Sequence, residues 1–340
     1  PIKSSAASDV YKRQIMNIAF FNTKPYDRLW FEPLSKEYGM KIHFIESSLM
    51  PDTVILASGF DAVCIFVNDN VTEQIAEALA SLGIKLILLR CAGFNNVNLD
   101  ATRALGITVL RVPSYSPAAV AEFSMASILT VNRKLHRAYT RTRDFNMSIN
   151  GLMGQDLNGK TAGVIGTGKI GQCMIDIFNG FHMKVLAYDL YPNENLDAIY
   201  VTLDELFEKS DVISLHCPLT ADTYHLINEL SIRKMKQGVI ISNTSRGSLI
   251  DSAALIDGLK EGHIGAVALD VYEEEDGLFY EDVSNKIIQD DILSRLCTFP
   301  NVLITSHMGF FTKEAMQAIA VETLQNAFAY ENGMKLLNIV

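Results

Sequence analysis

The stretch Thr161-Ala-Gly-Val-Ile-Gly166-Thr-Gly168-Lys-Ile-Gly171 decides the fold. An apolar, strand-like run ends in glycines spaced GxGxxG, and helical periodicity follows over Lys169–Phe181. Each glycine has a physical reason: Gly166 permits a tight turn, and a side chain at Gly168 would hold the backbone away from a pyrophosphate. One at Gly171 would push the helix off the sheet. The helix N-terminus then offers free N–H groups and the positive end of a dipole. The next strand, Val185–Asp189, ends in an acid 18 residues after Gly171. Strand, turn, helix, strand and acid at this spacing predict a dinucleotide site. Asp189 can accept hydrogen bonds from ribose hydroxyls and would repel a 2′-phosphate. Leu190, Tyr191 and Pro192 bring no cation to neutralise one, so the cofactor is read as NAD rather than NADP.

Outward from this turn the chain alternates strands and helices. Before it, strands are expected at Met16–Phe21, Lys41–Glu46, Ala62–Asn68, Lys85–Arg90 and Thr108–Arg111. Helices are expected at Tyr26–Tyr38, Thr72–Leu82 and Asn98–Leu105. Ser116-Pro117 starts a helix, with Ser as N-cap and Pro at the first position. That helix is expected to run to about Arg137, with a solvated basic end and the role of an interdomain connector. After it come strands Asp211–His216, Val239–Asn243, Ala266–Asp270 and Val302–Ser306. Helices fit at Leu203–Lys209, Asn228–Met235 and Ser252–Glu261, and Thr312–Tyr330 is a last one with Ala315, Ile319, Ala320 and Leu324 on one face. Such alternation argues for α/β architecture with parallel sheets, and 340 residues suit two domains.

Composition excludes other classes. The chain has 29 Lys and Arg against 39 Asp and Glu, a net charge of −10, and no dense basic tract. Neither nucleic acid nor an anionic membrane surface is an expected partner. No run of about 18 uninterrupted apolar residues suggests a membrane span. The five cysteines are scattered with no CxxC pair, and they read as reduced thiols of a cytoplasmic protein. No His or carboxylate spacing suggests a metal. Residues 1–15 are polar and aperiodic, and Met16 is read as the true start after a foreign or disordered leader.

Reduction of a 2-oxo acid needs a cation for the carboxylate, a proton donor and a group that tunes the donor. All should sit at strand C-termini beside the cofactor. Three residues meet this: Arg246 after Val239–Asn243, Glu275 after the strand ending at Asp270, and His307 after Val302–Ser306. Arg suits a planar carboxylate through its bidentate fork. His exchanges a proton near neutrality, and a neighbouring carboxylate favours its charged form. The other six histidines, His43, His136, His182, His216, His225 and His263, are read as having no such setting.

The chain resembles the NAD-dependent D-isomer-specific 2-hydroxyacid dehydrogenases from Met16 to its end. The resemblance rests on Ile65-Phe-Val-Asn-Asp69, Leu89-Arg-Cys-Ala-Gly-Phe-Asn-Asn96, Tyr115-Ser-Pro-Ala-Ala-Val-Ala-Glu122 and the glycine turn. It rests further on Ser214-Leu-His-Cys-Pro-Leu219, Asn243-Thr-Ser-Arg-Gly247 and Gly277-Leu-Phe-Tyr-Glu-Asp-Val-Ser-Asn285. One departure is Phe123, where many relatives place His. Within the family the chain is similar to the fermentative branch that reduces pyruvate to D-lactate. The resemblance implies two Rossmann/flavodoxin-like parallel-sheet domains, the nucleotide domain (116–311) inserted into a discontinuous substrate domain (16–115 and 312–340). It implies that Arg246 binds the substrate, that His307 donates the proton and that Glu275 is bonded to it. Ala92, Gly93 and Tyr115 would also line the substrate site. Lys169, Ile170, Asp189, Cys217, Pro218, Thr223, Thr244, Ser245 and Asp270 would lie along the cofactor with Gly166, Gly168 and Gly171. A homo-oligomer, dimer or tetramer, is implied as well.

Relatives acting on 2-oxoisocaproate, hydroxypyruvate or phenylpyruvate, and an NAD(H)-sensing corepressor or scaffold, are the alternatives. A phosphorylated substrate would want cations near Ala92–Asn96; that loop has none, though Arg90 lies just before it.

Overall fold

The structure, a computed structural model, describes residues 15–275 and 277–340. The expected leader falls on residues 1–14, outside the described residues, except for exposed Ile15. The chain divides into two units, one running to Tyr115 and resumed at Lys313–Val340, the other Ser116–Thr312.

The first unit is laid down as β1 (Asn17–Phe20), α1 (Pro25–Glu37), β2 (Lys41–Phe44), β3 (Ala62–Ile65), α2 (Glu73–Ser81), β4 (Leu86–Leu89), α3 (Leu99–Ala104) and β5 (Thr108–Leu110). Its five strands are parallel in the order β2-β1-β3-β4-β5. Every residue of β3 and β4 is buried, as expected of strands covered on both faces. Thr72 and Asn98 cap α2 and α3 through the backbone N–H groups of Ile75 and Ala101.

The second unit begins with Ser116, whose Oγ accepts from Ala119 N at 3.3 Å and caps α4 (Pro117–Arg133). The long helix expected to reach Arg137 is two helices. Lys134 takes a left-handed conformation (φ +52°) and α5 (Leu135–Arg143) starts anew. The break is tertiary in origin: Asn132 exchanges two hydrogen bonds with the backbone of Gln155, and Lys134 Nζ donates to Met153 O. α4 packs on strands and a helix of its own unit.

Then follow β6 (Thr161–Ile165), α6 (Lys169–Gly180), β7 (Lys184–Tyr188), β8 (Ile199–Tyr200), α7 (Leu203–Lys209), β9 (Val212–Leu215), α8 (Glu229–Lys234), β10 (Val239–Asn243), α9 (Ser252–Lys260), β11 (Ile264–Leu269), α10 (Asp291–Thr298) and β12 (Val302–Ile304). The parallel order is β12-β11-β10-β9-β6-β7-β8. Sequence reading missed β8, too short to show alternation, and α10, which Asp290 caps through Leu293 N at 2.8 Å. It also missed the 3-10 turns Val54–Ala57 and Gly247–Leu249. The winding reverses between β6 and β9, and ligands of such sheets bind outside the strand ends at that point.

The last helix, α11 (Lys313–Glu331), belongs to the first unit. Ala315, Ile319, Ala320 and Leu324 are buried as expected, and Asn326 Nδ2 donates to Arg111 O at 2.8 Å.

Candidate active site

The turn after β6 has the constraints its glycines imply. Gly166 sits at φ +93°, and a Cβ there would stand 2.6 Å from Cys217 N. A Cβ at Gly171 would meet Gly166 O at 2.0 Å, whereas one at Gly168 would meet no protein atom within 4 Å. The space in front of Gly168 is therefore open for a phosphate group. Asp189, at the end of β7, is held by this turn: its Oδ2 accepts from Thr167 N at 2.6 Å and its Oδ1 from Tyr191 N at 2.8 Å.

A cavity of about 280 Å³ opens at the winding reversal. Gly166, Gly168, Asp189, Cys217, Pro218 and Thr223 line it. So do Tyr188, Leu190, Tyr191, Leu203, His216 and Leu226, which sequence reading had not assigned. Their signal was placement: most directly follow β7 and β9 or lie in the loop beyond. Lys169, Ile170, Thr244 and Ser245 lie outside its lining. Ser245 Oγ donates to Cys217 O at 2.6 Å, while Thr244 Oγ1 is buried without a partner. An orphaned hydroxyl just past the end of β10 fits a dinucleotide extending along the strand ends.

Arg246, Glu275 and His307 leave three adjacent parallel strands, β10, β11 and β12. Arg246 Nη1 donates to Ser245 O at 2.6 Å, and its own carbonyl accepts from Asn243 Nδ2 at 2.8 Å. Glu275 accepts from Tyr272 N through Oε2 at 3.1 Å and meets His307 Nδ1 through Oε1 at 2.9 Å. His307 is itself pinned: its N donates to Asp270 O at 2.7 Å and its O accepts from the Tyr280 hydroxyl at 2.7 Å. It is left-handed (φ +53°), a conformation that costs a non-glycine residue about 1–3 kcal/mol and persists only where surroundings impose it. With Nδ1 turned to Glu275, Nε2 is the ring nitrogen left to exchange a proton. Among the described residues no hydrogen bond or ion pair joins Arg246 to Glu275 or His307. Ala92, Gly93 and Tyr115 lie in the other unit, the first two just after β4 and the third ahead of α4.

Residues 125–309 match the model of the D-isomer-specific 2-hydroxyacid dehydrogenase NAD-binding domain. The chain is 51% identical over 321 residues to the D-lactate dehydrogenase of Escherichia coli, covering 94% of this chain and 98% of that protein. The chain belongs to the D-isomer-specific 2-hydroxyacid dehydrogenase family. The apo-structure of the E. coli D-lactate dehydrogenase superposes with a TM-score of 0.87 at 48% identity, covering 96% of this chain and 100% of that one. The structure described as the pyruvate reductase of Chlamydomonas reinhardtii superposes at 0.90 and 43% identity, covering 96% and 99%.

In this NAD-dependent 2-hydroxyacid dehydrogenase, Asp270 is engaged by the protein. Its carboxylate accepts from Thr305 Oγ1 at 2.5 Å, Met308 N at 2.9 Å and Gly309 N at 2.7 Å. Burial pushes its carboxyl above the ordinary carboxylate range, and those bonds pull it back down. It thus shapes the turn carrying His307. Cys217 is a buried thiol pushed up to about 11, protonated and inert at neutrality. His216, which lines the cavity and is bonded to Ser214 Oγ at 2.9 Å, is pushed down to about 4 by burial.

One reading of the histidines needs correction. His225 lies 2.5 Å from Glu273 Oε1, a second imidazole–carboxylate pair in the dehydrogenase. The two residues are 48 positions apart, and only adjacency of the loops after β9, β10 and β11 brings them together. Among the described residues no group of three His, Cys, Asp or Glu side chains is arranged to hold a metal, and no helix is long and apolar enough to cross a membrane.

Proposed function

We propose that this protein catalyses the reversible NADH-dependent reduction of pyruvate to D-lactate. The observation that carries the reading is the His307–Glu275 pair, set on the sheet edge that also carries Arg246 and the glycine turn. Bound NADH supplies the hydride. Arg246 binds the substrate carboxylate with its planar fork and polarises the carbonyl. His307, protonated at the start, gives its Nε2 proton to the carbonyl oxygen as the hydride arrives, and Glu275 stabilises the charged ring and fixes its orientation. In lactate oxidation His307 takes that proton back.

The small substrate is supported by Arg90, which is not a free cation for a phosphate. It is 3% exposed, 3.8 Å from Asp27 Oδ1, and donates to Asn22 O at 3.0 Å. The similarity to the D-lactate dehydrogenase of E. coli supports pyruvate over longer 2-oxo acids.

The protein works as a homo-oligomer in this reading. Tyr139, Phe145, Met147, Ile149 and Met153 are 64–86% exposed along one short segment, an apolar surface that a second copy would cover. All five cysteines are free, as the cytoplasm would keep them.

Initial rates of NADH loss with pyruvate, glyoxylate, phenylpyruvate, 2-oxoisocaproate and hydroxypyruvate test the assignment, followed by the chirality of the lactate. Fastest turnover on pyruvate giving the D-isomer is expected. Preference for a longer acid would move the substrate within the family, and NADH binding without turnover would indicate a sensing or scaffold role.

A further inference from the structure

The second imidazole–carboxylate pair lies within reach of the first along the chain. Glu273 Oε1 takes the His225 ring at 2.5 Å, and Glu273 Oε2 accepts from the Ser252 hydroxyl at 2.9 Å. On the other side of the ring, Asp251 Oδ2 stands 4.0 Å from His225 Nδ1, while Asp251 Oδ1 caps α9 through Ala253 and Ala254 N. The Tyr224 ring stacks on His225 at 3.9 Å and 16°. The His225 and Glu273 side chains are 27% and 19% exposed, so their charge-assisted bond is less screened than a surface pair.

His225 joins three loops. Its own follows β9 and adopts φ +49° at this residue. Its backbone N donates at 2.9 Å to Ser248 O, two residues beyond Arg246. Its ring holds Glu273, two residues before Glu275. The intervening backbone has little freedom. Tyr272 N donates to Glu275 Oε2 at 3.1 Å, and Gly247 presses so closely that a Cβ there would lie 2.0 Å from Tyr272 O.

We propose that His225 is a positioning residue for the hydride-transfer reaction. Through Glu273 it sets the place at which the 271–275 loop presents Glu275 to His307. Small displacements of such a partner are costly, because proton transfer demands aligned donor geometry. The proposal rests on the roles given above to Glu275 and His307.

The test is a double-mutant cycle in the full-length protein, following kcat and KM for pyruvate with NADH affinity and melting temperature measured alongside. His225→Ala is expected to lower kcat about tenfold while KM stays within about threefold, because proton transfer and not substrate binding is disturbed. His225→Gln, which keeps a donor for Glu273, is expected to recover most of that loss. In a Glu275→Gln background His225→Ala is expected to add less than about twofold, since residues acting through one another are not additive. Should His225→Ala not fold, Glu273→Gln takes its place in the cycle with the same expected coupling. Full additivity, or a lowered melting temperature with kcat unchanged, would overturn the positioning role. An unchanged kcat in Glu275→Gln alone would instead overturn the underlying reading of the Glu275–His307 pair.

Discussion

Glu275 Oε1 sits 2.9 Å from His307 Nδ1, although the two residues are 32 positions apart and leave different strands. Those strands, β11 and β12, are neighbours in register, with Leu269 opposite Ile304. The pair is therefore a product of the sheet, and its chemistry can be tested directly. His307→Gln should lower turnover by about 10²–10⁴-fold with NADH binding retained, the usual worth of a general acid. Pyruvate reduction should slow as pH rises, because the donor must begin protonated. Glu275→Gln should slow the reaction as well, since an amide no longer fixes the ring or stabilises the charge it carries during proton transfer. Stopped-flow rates between pH 5 and 9 decide it; a flat profile in the wild type would remove His307 from the role.

Arg246 is held by Asn243 and Ser245 at the end of β10, ahead of a tight turn. Arg246→Lys keeps the charge and loses the fork, which should cost about 3 kcal/mol of carboxylate recognition, or roughly a hundredfold in kcat/KM for pyruvate. Steady-state kinetics with NADH saturating would show it. A loss confined to NADH affinity would place Arg246 elsewhere.

Gly166 and Gly168 should separate folding from cofactor binding. Gly166→Ala puts a Cβ 2.6 Å from Cys217 N at a left-handed φ of +93° and should destabilise the fold by about 2 kcal/mol or more. Gly168→Ala meets no protein atom within 4 Å, so stability should hold while the NADH Kd rises about tenfold or more. Urea unfolding and fluorescence titration of NADH measure the two effects, and equal NADH binding in Gly168→Ala would contradict the phosphate site.

His216 should make the protein sensitive to acid. Its imidazole is pushed down to about 4 in the folded state. The unfolded ring takes up a proton below about 6.5 and the folded ring does not until about 4. Its contribution is thus fully present above pH 6.5 and is lost as pH falls through that window. The stability difference between wild type and His216→Asn should shrink by at most about 3 kcal/mol from pH 7 to 4.5. Urea midpoints at both pH values give the number, and a pH-independent difference would show that the ring charges freely.

Phe145 is 86% exposed in the apolar segment beyond α5. If a second copy covers that surface, Phe145→Asp should shift the assembly towards monomer in light scattering, with little change in the monomer's fold. An unchanged mass would place the oligomer interface elsewhere.

The parts of the site legible in the amino-acid chain are those where function and local backbone coincide. Gly166, Gly168 and Asp189 stand at a strand–turn–helix–strand junction whose spacing is itself local, and Arg246 and His307 follow recognisable strands. Tyr188, Leu190 and Leu226 were not legible as cavity residues, because nothing in an isolated apolar side chain says which wall it will form. His225 was misread for the same reason: its partner Glu273 lies two strands away, so no spacing rule connects them. The end of α4 at Arg133 was hidden as well, since residues 132–134 have ordinary helical preference and the segment around Met153 and Gln155 stops them.

The order of elements, the dinucleotide turn and the placing of three reactive side chains at strand ends are written along the chain, because hydrophobic period and turn chemistry act over a few residues. Which strands become neighbours, and hence that Glu275 meets His307 and Glu273 meets His225, was settled by packing. Those contacts join residues 32 and 48 positions apart, and ordering the loops that make them carries an entropic cost that burial of the β9–β12 core offsets.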